Sequence, residues 1–380
     1  MIVELHMLQN FVPSCLNRDD TNSPKECQFG GYRRARISSQ CIKRAIRQYF
    51  EDNCLVSPES LAKRTKLLVS ELAGRLVKAG KTEEDARKAS AEAIKATAKL
   101  KLKGVDKTEY LLFIGEREIE AIASVILAHW VELTSPSPDK KALETVGKEV
   151  LDKLNGGKAS DLALFGRMLA DLPDKNIDAA CQVAHAISTH KVGVEFDFYT
   201  AVDDLQPKEE TGAGMMGDIE FNSACYYRYA NIDLGQLKKN LLGKTIDKAT
   251  QEELEEASEL AGKTVEAFIR AAVFAIPTGK QTSFSAQNPP DFILAVVRDN
   301  GTWSLANAFA KPVREQGNLI ADSIAALVDY WNKLAGAYGS DSIKAKPALA
   351  LKEAQLTGLD RVTNFEELVG KIKQTIADGF

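Results

Sequence analysis

Along the chain, apolar residues repeat with the period of a strand in some segments and with the period of a helix in others. The order of these segments restricts the fold more than any other feature. Apolar and polar residues alternate in Ile2–Leu8, in 194–202 (VEFDFYTAV) and in 220–232 (EFNSACYYRYANI), which predicts three strands. A helix predicted at Gln251–Ala275 precedes a fourth, apolar strand. The order strand, helix, insertion, two paired strands, helix, strand predicts an α+β fold of the ferredoxin-like βαββαβ type, which many RNA-binding modules use. The aromatic signature of an ordinary RNA-recognition motif is absent, so we expect no base stacking on the sheet.

Segment 28–50, QFGGYRRARISSQCIKRAIRQYF, is basic although the whole chain carries a net charge of -4. Ser38 or Ser39 is a suitable N-cap for a helix with two stripes. The apolar stripe comprises Ile42, Ala45, Ile46, Tyr49 and Phe50. Free N–H groups at a helix start bind anions, so we predict a site that holds nucleic-acid phosphates without reading bases. Its predicted residues are Arg33, Arg34, Arg36, Ser38, Ser39, Gln40, Lys43, Arg44 and Arg47.

Two loops are candidates for function. The connection Gln9–Gly31 is long, polar and rich in turn formers, and it contains Asn17, Arg18 and Lys25. Between the two paired strands the sequence predicts a protruding hairpin, with Met215 and Met216 near its glycine-rich tip. Exposed methionines there would contact a neighbouring molecule or wedge between bases, and a loop without function is the alternative.

Segment 57–190 is predicted to be mostly helical, and Asp178–His190 is predicted to be a further helix. His185 and His190 lie five residues apart and so do not share a helical face, and we expect no metal site there. The six cysteines form no C-x-x-C pair, which indicates neither a zinc site nor a disulfide framework and favours a reducing cytoplasm. We expect no signal peptide and no cofactor.

Several sequence blocks together resemble a known family. The blocks PSCLNRDD, FGGYRRARISSQCIKRAIR, AHAISTHKV, FYTAVDDLQ and YYRYANIDL resemble the CasC-type backbone subunit of the type I-E CRISPR Cascade complex, a crRNA-binding member of the RAMP superfamily. The resemblance is weakest from about Ser57 to Leu162. It implies an RNA-recognition-motif-like palm in 1–56 and 191–380, helical fingers in 57–190 and a thumb hairpin with its tip at 203–219.

The resemblance also implies a function. Several copies would stack head to tail along one crRNA as a filament, other Cascade subunits would cap its ends, and the exposed guide would pair with target DNA in antiviral defence. Each thumb would reach the next copy and displace one base. The RNA-contacting positions that it implies are Arg18, Lys25, Ser38, Gln40, Lys43, Arg44, Arg47, Met168 in the fingers, Phe198, Tyr199, Thr200 and Val202 at the thumb base, and Met216 near its tip. Asn17 completes the set of predicted RNA-binding residues.

Two other functions are compatible with parts of the sequence. Asp19 and Asp20 could serve a metal-dependent ribonuclease that cleaves target RNA, although no histidine or lysine is placed beside them as acid or base. The chain could instead be a helical scaffold that binds no nucleic acid, but the basic segment 28–50 argues against this function. We therefore expect a binding protein with no catalytic residue.

Overall fold

The computed structural model describes residues 1–104, 106–201, 215–314 and 317–378. The strands, in chain order, are β1 (Ile2–Ser14), β2 (Glu26–Phe29), β3 (Tyr32–Ile37), β4 (Ala62–Thr65), β5 (Leu102–Lys103), β6 (Lys107–Thr108), β7 (Leu112–Gly115), β8 (Cys181–Val183), β9 (Ala186–Ser188), β10 (Glu195–Ala201), β11 (Met215–Asp233), β12 (Phe292–Arg298), β13 (Ile343–Ala345), β14 (Pro347–Ala350) and β15 (Asp360–Arg361).

The helices are α1 (Ser39–Asp52), α2 (Leu68–Lys78), α3 (Glu83–Ala96), α4 (Glu116–Ala128), α5 (Trp130–Thr134), α6 (Lys140–Asp152), α7 (Ser160–Phe165), α8 (Leu234–Leu242), α9 (Gln251–Phe274), α10 (Gln281–Phe284), α11 (Leu319–Tyr338) and α12 (Phe365–Ala377). Short 3₁₀ turns lie at Pro58–Ser60, Pro173–Lys175, Ile246–Lys248 and Ala306–Phe309. Within the described ranges, no helix is long and apolar enough to cross a membrane.

The chain forms two compact units. Unit 1 comprises Met1–Tyr49, Val183–Asn231 and Phe268–Phe380, and unit 2 comprises Phe50–Gln182 and Ile232–Ala267. The central sheet has the order β15-β14-β12-β1-β11-β9-β3-β2, and β10 extends from β11 as a second partner. Apart from the parallel pair β14–β15, the strand pairs whose register is defined are antiparallel. The protein is therefore a mixed α/β chain with a mostly antiparallel central sheet.

Strand β1 is longer and more buried than the sequence predicts. It continues to Ser14 instead of ending at Leu8, and both of its faces are covered. Glu4 and His6, predicted as the polar face, are completely buried. The hydroxyl of Tyr229 donates a hydrogen bond to Glu4 at 2.7 Å, and the hydroxyl of Tyr227 lies 2.9 Å from His6 Nδ1. Burial lowers the pKa of His6 to about 3, so the imidazole is neutral at physiological pH.

Unit 2 has its own core, made mainly by the apolar faces of α2, α3, α4 and α6. The completely buried members include Leu72, Leu76, Ile94, Ile122 and Val146. The predicted helical composition is therefore present, with two additions that periodicity did not indicate. These are the antiparallel pairs β4–β7 and β5–β6.

The helix predicted for Asp178–His190 is wrong. The segment contains β8 and β9, and β9 pairs with both β3 and β11. Ala186 and Ser188 are completely buried, whereas His185 between Ala184 and Ala186 is exposed. Because β9 fills a position between two strands, sheet pairing overrides the local helix preference of an alanine-rich sequence.

Candidate nucleic-acid interface

Main-chain hydrogen bonds connect the first loop, the β2–β3 hairpin and the start of α1. The N–H of Lys25 donates to the carbonyl of Asn17 at 2.8 Å, and the N–H of Arg36 donates to the carbonyl of Lys25 at 2.8 Å. The side chain of Asn17 accepts from the N–H of Ser38, also at 2.8 Å. Through its two hydrogen bonds, Asn17 fixes the loop that presents Arg18 and Lys25 beside the first turn of α1.

Helix α1 begins as the sequence predicts. The Ser38 hydroxyl accepts a hydrogen bond from the N–H of Cys41 at 3.3 Å, which confirms Ser38 as the N-cap, and Ser39 is the first helical residue. Four members of the predicted apolar stripe are buried, and the fifth, Tyr49, is half-buried. On the polar face, the exposed residues are Gln40 and Arg44, and the half-buried ones are Lys43 and Arg47.

Lys25 of the first loop and Arg44 of α1 both lie near the Cys41 thiol. Burial raises the pKa of the Cys41 thiol, and the positive charges of Lys25 and Arg44 both oppose that rise. Since one thiol on the first turn of α1 is influenced by both cations, the first loop and the helix contribute to one local positive field. We call the group of Arg18, Lys25, Arg36, His185, Gln40, Lys43, Arg44 and Arg47 the basic surface.

His185 belongs to this surface although the sequence gave no reason to include it. Its Nδ1 lies 3.0 Å from Nη1 of Arg36. A guanidinium can only donate, so Nδ1 accepts and the neutral imidazole carries its proton on Nε2. Burial, and then the charges of Arg36 and Lys25, lower the pKa of His185. The exposed ring therefore adds a neutral N–H donor among cations.

The neighbouring residues Arg33 and Arg34 have different environments. Arg33 is exposed and forms an ion pair with Glu26 across the β2–β3 hairpin. Arg34 is completely buried, and its guanidinium donates to the carbonyls of Ser188 at 3.0 Å and Phe309 at 2.7 Å. The prediction that Arg34 contacts RNA is therefore corrected. Its charge lies inside unit 1, where it joins β3, β9 and the turn at Ala306–Phe309.

Asp19 stabilises the first loop. One of its carboxylate oxygens accepts hydrogen bonds from the hydroxyl of Thr21 at 2.8 Å and from the N–H groups of Thr21 and Ser23 at 3.0 Å. The hydrogen bond from the Thr21 side chain is the main cause of the lowered pKa of Asp19. An ionised carboxylate that is already engaged in a turn is poorly suited to proton transfer near neutral pH. Among the described residues, no group of three or more His, Cys, Asp or Glu side chains could hold a metal ion.

Met168 lies in unit 2 in a loop fixed by its neighbours, which we call the Met168 loop (Gly166–Leu169). The Met168 side chain is 86% exposed. On one side, Arg167 is buried and contacts both carboxylate oxygens of Glu118, at 3.0 and 2.9 Å. On the other side, the N–H of Leu169 donates to the side chain of Asn176 at 2.6 Å. An apolar side chain is thus held outward by a polar framework behind it.

Strands β10 and β11 form a two-stranded ribbon, as predicted, and its register assigns the apolar side chains to faces. Paired residues lie on the same face and consecutive residues on opposite faces. Because Thr200 pairs with Met216 and Phe198 with Asp218, one face carries Phe198, Thr200 and Met216. Met215 lies on the opposite face with Tyr199, whose ring covers Gly217. Phe198 and Met216 are about two-thirds exposed, at 67% and 66%.

The other predicted RNA-binding positions are Val202, Ser39 and Arg18. Val202 and most of the predicted thumb tip, 203–214, lie outside the described residues. Ser39 is half-buried at the helix start, and Arg18 is exposed and hydrogen-bonded to Asn22. The sequence did not predict the roles of two residues, His185 in the basic surface and Arg167 behind the Met168 loop. The first becomes a neighbour of Arg36 only through pairing of β3 with β9, and the second acts through Glu118, which is distant in sequence.

The fold and the candidate site define a mixed α/β protein with a cationic surface in one unit and an apolar ribbon extending from its sheet. The chain belongs to the CT1975-like protein family, whose model matches residues 3–376. It is similar to a chain of a solved structure described as "CRISPR RNA-guided surveillance complex, pre-nicking", with 28% identity and a TM-score of 0.84 over 98% of this chain and 99% of that chain.

A second solved structure, described as "CRISPR RNA-guided surveillance complex", has the same fold. Its chain is 23% identical, with a TM-score of 0.74 over 98% of this chain and 99% of that chain. No curated protein matches the sequence. The resemblance that the sequence blocks indicate, to a backbone subunit of a CRISPR surveillance complex, is confirmed at the level of the family and the fold.

Proposed function

We propose that this chain is a non-catalytic backbone subunit of a type I-E CRISPR Cascade complex that binds crRNA through its phosphates. The observation that carries the proposal is the end-to-end match to a chain of a CRISPR RNA-guided surveillance complex at 28% identity. Copies would assemble head to tail along the guide, together with other subunits of the complex. The guide would then be presented for pairing with target DNA.

The basic surface supports the RNA-binding part of the proposal. Its cations come from the first loop, a hairpin and a helix that are joined by hydrogen bonds. Cations of this kind position a nucleic acid through its phosphates, which carry no sequence information. Phosphate contacts of this kind give affinity that is independent of sequence and sensitive to salt. A protein that holds guides of different sequence requires this property.

The sheet order supports an RNA-recognition-motif-like palm. The strands β12, β1, β11 and β9 are consecutive neighbours, which is the strand order of a ferredoxin-like sheet when β1, β9, β11 and β12 are taken as its first to fourth strands. We propose the palm in 1–56 and 191–380, the fingers in 57–190 and the thumb tip at 203–219. The compact units differ from this division in three segments: 50–56 and 232–267 belong to unit 2, and 183–190 belongs to unit 1.

The ribbon and the Met168 loop support the displacement of a base. Each presents apolar side chains to solvent on a defined backbone, namely Phe198 and Met216 on the ribbon and Met168 on its loop. An apolar wedge unstacks a base step at a cost of a few kcal/mol, which contacts to the reorganised strand can offset. We propose that the ribbon of one copy acts on RNA bound by the next copy.

The proposal is tested by native mass spectrometry of the protein with RNAs of increasing length at two salt concentrations. We expect one more subunit for each fixed increment of RNA length, intact RNA and weaker binding at the higher salt. A stoichiometry that does not change with RNA length would contradict the filament. Shortened RNA would favour the ribonuclease, and Asp19→Ala with Asp20→Ala would then test whether these carboxylates are responsible.

A charge-matched pair of variants tests the site. Replacing Lys43, Arg44 and Arg47 with glutamate should abolish RNA retention while the protein stays folded. The control replaces three ion-paired surface lysines on α11, β13 and α12 with glutamate, namely Lys333, Lys344 and Lys371. Equal loss of RNA in both variants would mean that binding depends on bulk charge, and retention in both would refute the site.

A further inference from the structure

A strap of unit 1, residues 276–288, connects α9 to β12 and is fixed beside β1. The side chain of Gln9 on β1 donates to the carbonyl of Asn288 at 2.6 Å. The ring of Phe284 lies 5.7 Å from that of Phe221 on β11. The strap contains the pair Gly279-Lys280, which resembles part of a nucleotide-binding phosphate loop in sequence but lacks that motif's first glycine and its final Ser or Thr.

The backbone of the strap is strained at two residues other than glycine. Lys280 has φ 49° and Ser285 has φ 47°, so both adopt the left-handed conformation on either side of α10. Residues with a Cβ rarely adopt this conformation, and such outliers often occur at functional sites. The strain alone does not identify a function, but it shows that the path of the strap is imposed by its surroundings.

Gly279 allows the strap to approach the first loop closely. A Cβ at Gly279 would lie 2.5 Å from the carbonyl oxygen of Leu16 and 2.7 Å from that of Cys15, distances that no side chain tolerates. The backbone immediately before Lys280 therefore packs directly on the loop that presents Arg18. Because the two segments are far apart in the sequence, this contact could not be predicted from it.

The charges of Lys280 and Arg18 both act on the Cys15 thiol. Burial raises the pKa of the Cys15 thiol, whereas Lys280 and then Arg18 oppose the rise, and the more weakly acting carboxylates Glu220 and Asp19 reinforce it. Lys280 is half-buried, and no ion pair joins it to the residues that the structure describes. A lysine is thus held beside the first loop without a carboxylate partner.

We propose that Lys280 is a further phosphate-binding residue, which extends the basic surface from Arg18 onto the strap. The inference rests on the proposed function of that surface as an RNA site. The ligand is the phosphate backbone of single-stranded RNA, because an ammonium on a flexible stem contacts phosphates as a point charge and reads no base. The left-handed conformation of Lys280 orients its ammonium group. The close packing of Gly279 on Leu16 holds this part of the strap against the first loop.

The experiment compares Lys280→Gly, Lys280→Arg and Ser285→Gly in the full-length protein, using a fluorescently labelled single-stranded RNA across a salt series. Lys280→Gly removes the ammonium and relieves the backbone strain, so thermal stability should be maintained while RNA affinity falls. The slope of log K against log salt should become shallower by about 0.7 for one lost phosphate contact. Lys280→Arg should keep the slope of the unmodified protein.

Ser285→Gly is the matched control because it relieves the same kind of strain at the other end of α10 without changing charge. It should leave affinity and slope unchanged. Equal losses in Ser285→Gly and Lys280→Gly would assign the effect to the path of the strap and overturn the inference. Unchanged affinity and slope in Lys280→Gly would overturn the inference alone, whereas no RNA binding by the unmodified protein would overturn the proposed function as well.

Discussion

The basic surface and the Met168 loop are both exposed, but they are held in place by different means. Around the basic surface, separate hydrogen bonds link Asn17, Lys25, Arg36 and Ser38, and each of them has a main-chain N–H as its donor. The Met168 loop depends on a buried ion pair between Arg167 and Glu118. We expect the first arrangement to lose at most one hydrogen bond when a side chain is removed, whereas the second is left with an unpaired buried charge when one partner is removed.

The largest effect is expected at Glu118. Its carboxylate accepts from the N–H groups of Gly115 at 2.7 Å and Gly156 at 2.6 Å in addition to Arg167. Glu118→Ala should lower the free energy of unfolding by about 3–5 kcal/mol, because an isolated guanidinium remains in the interior. Denaturant unfolding, with hydrogen exchange of the segment 160–178, measures the loss and locates it in unit 2.

Glu120→Ala is the control for this prediction. Glu120 is two residues away on α4, is 71% exposed and pairs with Arg75 at 3.3 Å. Its replacement should cost less than about 1 kcal/mol, since exposed ion pairs contribute little. If both variants lost equal stability, the Met168 loop would not depend on the buried pair, and the contrast with the basic surface would disappear.

Arg34 tests the same contrast inside the basic segment. Arg34→Ala removes the donors of the carbonyls of Ser188 and Phe309, which should lower the free energy of unfolding by about 2–3 kcal/mol. Arg33→Ala should change stability by less than about 1 kcal/mol, because Arg33 is exposed. RNA affinity measured on the folded variants should show the opposite order. A larger loss of RNA affinity in folded Arg34→Ala than in Arg33→Ala would contradict the structural role of Arg34.

These two arginines show what the sequence could and could not predict. The strands β1, β10, β11 and β12, the start of α1 at its serine cap and its buried stripe follow from local pattern, whereas β2, β3, β8 and β9 were not predicted. Periodicity cannot distinguish Arg33 from Arg34 as exposed and buried, because both lie in a basic run. Only the pairing of β3 with β9 places one of them inside.

Long-range pairing also explains the other errors. Alanine-rich residues near His185 prefer a helix locally, but their hydrogen bonds are made to β3 and β11. The same pairing brings His185 to Arg36, and the close approach of Gly279 to Leu16 brings Lys280 to the first loop. Contacts between segments separated by more than a hundred residues leave no periodic signal, so neither His185 nor Lys280 could be placed beside the basic segment from the sequence.

The ribbon allows a comparison between its two faces. Met216 lies on the face of Phe198 and Thr200, and Met215 lies on the face of Tyr199. If the Phe198 face displaces a base, Met216→Ala should reduce the fluorescence of 2-aminopurine at the displaced guide position, found by scanning the label along the RNA, because a restacked base is quenched. Met215→Ala is the matched control and should leave the fluorescence unchanged. Equal effects in both variants would exclude the assignment of one face to the RNA.

The smallest effect is expected at His185 and concerns pH. In the free protein, burial, Arg36 and Lys25 lower the pKa of His185, whereas a nearby phosphate favours the imidazolium and raises it. The RNA-bound state therefore holds more protons between the two pKa values, so RNA affinity should rise as the pH falls through that window and level off below it. Fluorescence anisotropy from about pH 8 to about pH 5.5 should show a rise of a few-fold, within the range in which histidine titrates. His185→Gln keeps an N–H donor but cannot titrate, so it should bind as well at the upper pH and lose the rise. An unchanged pH profile in this variant would assign the titration to another group.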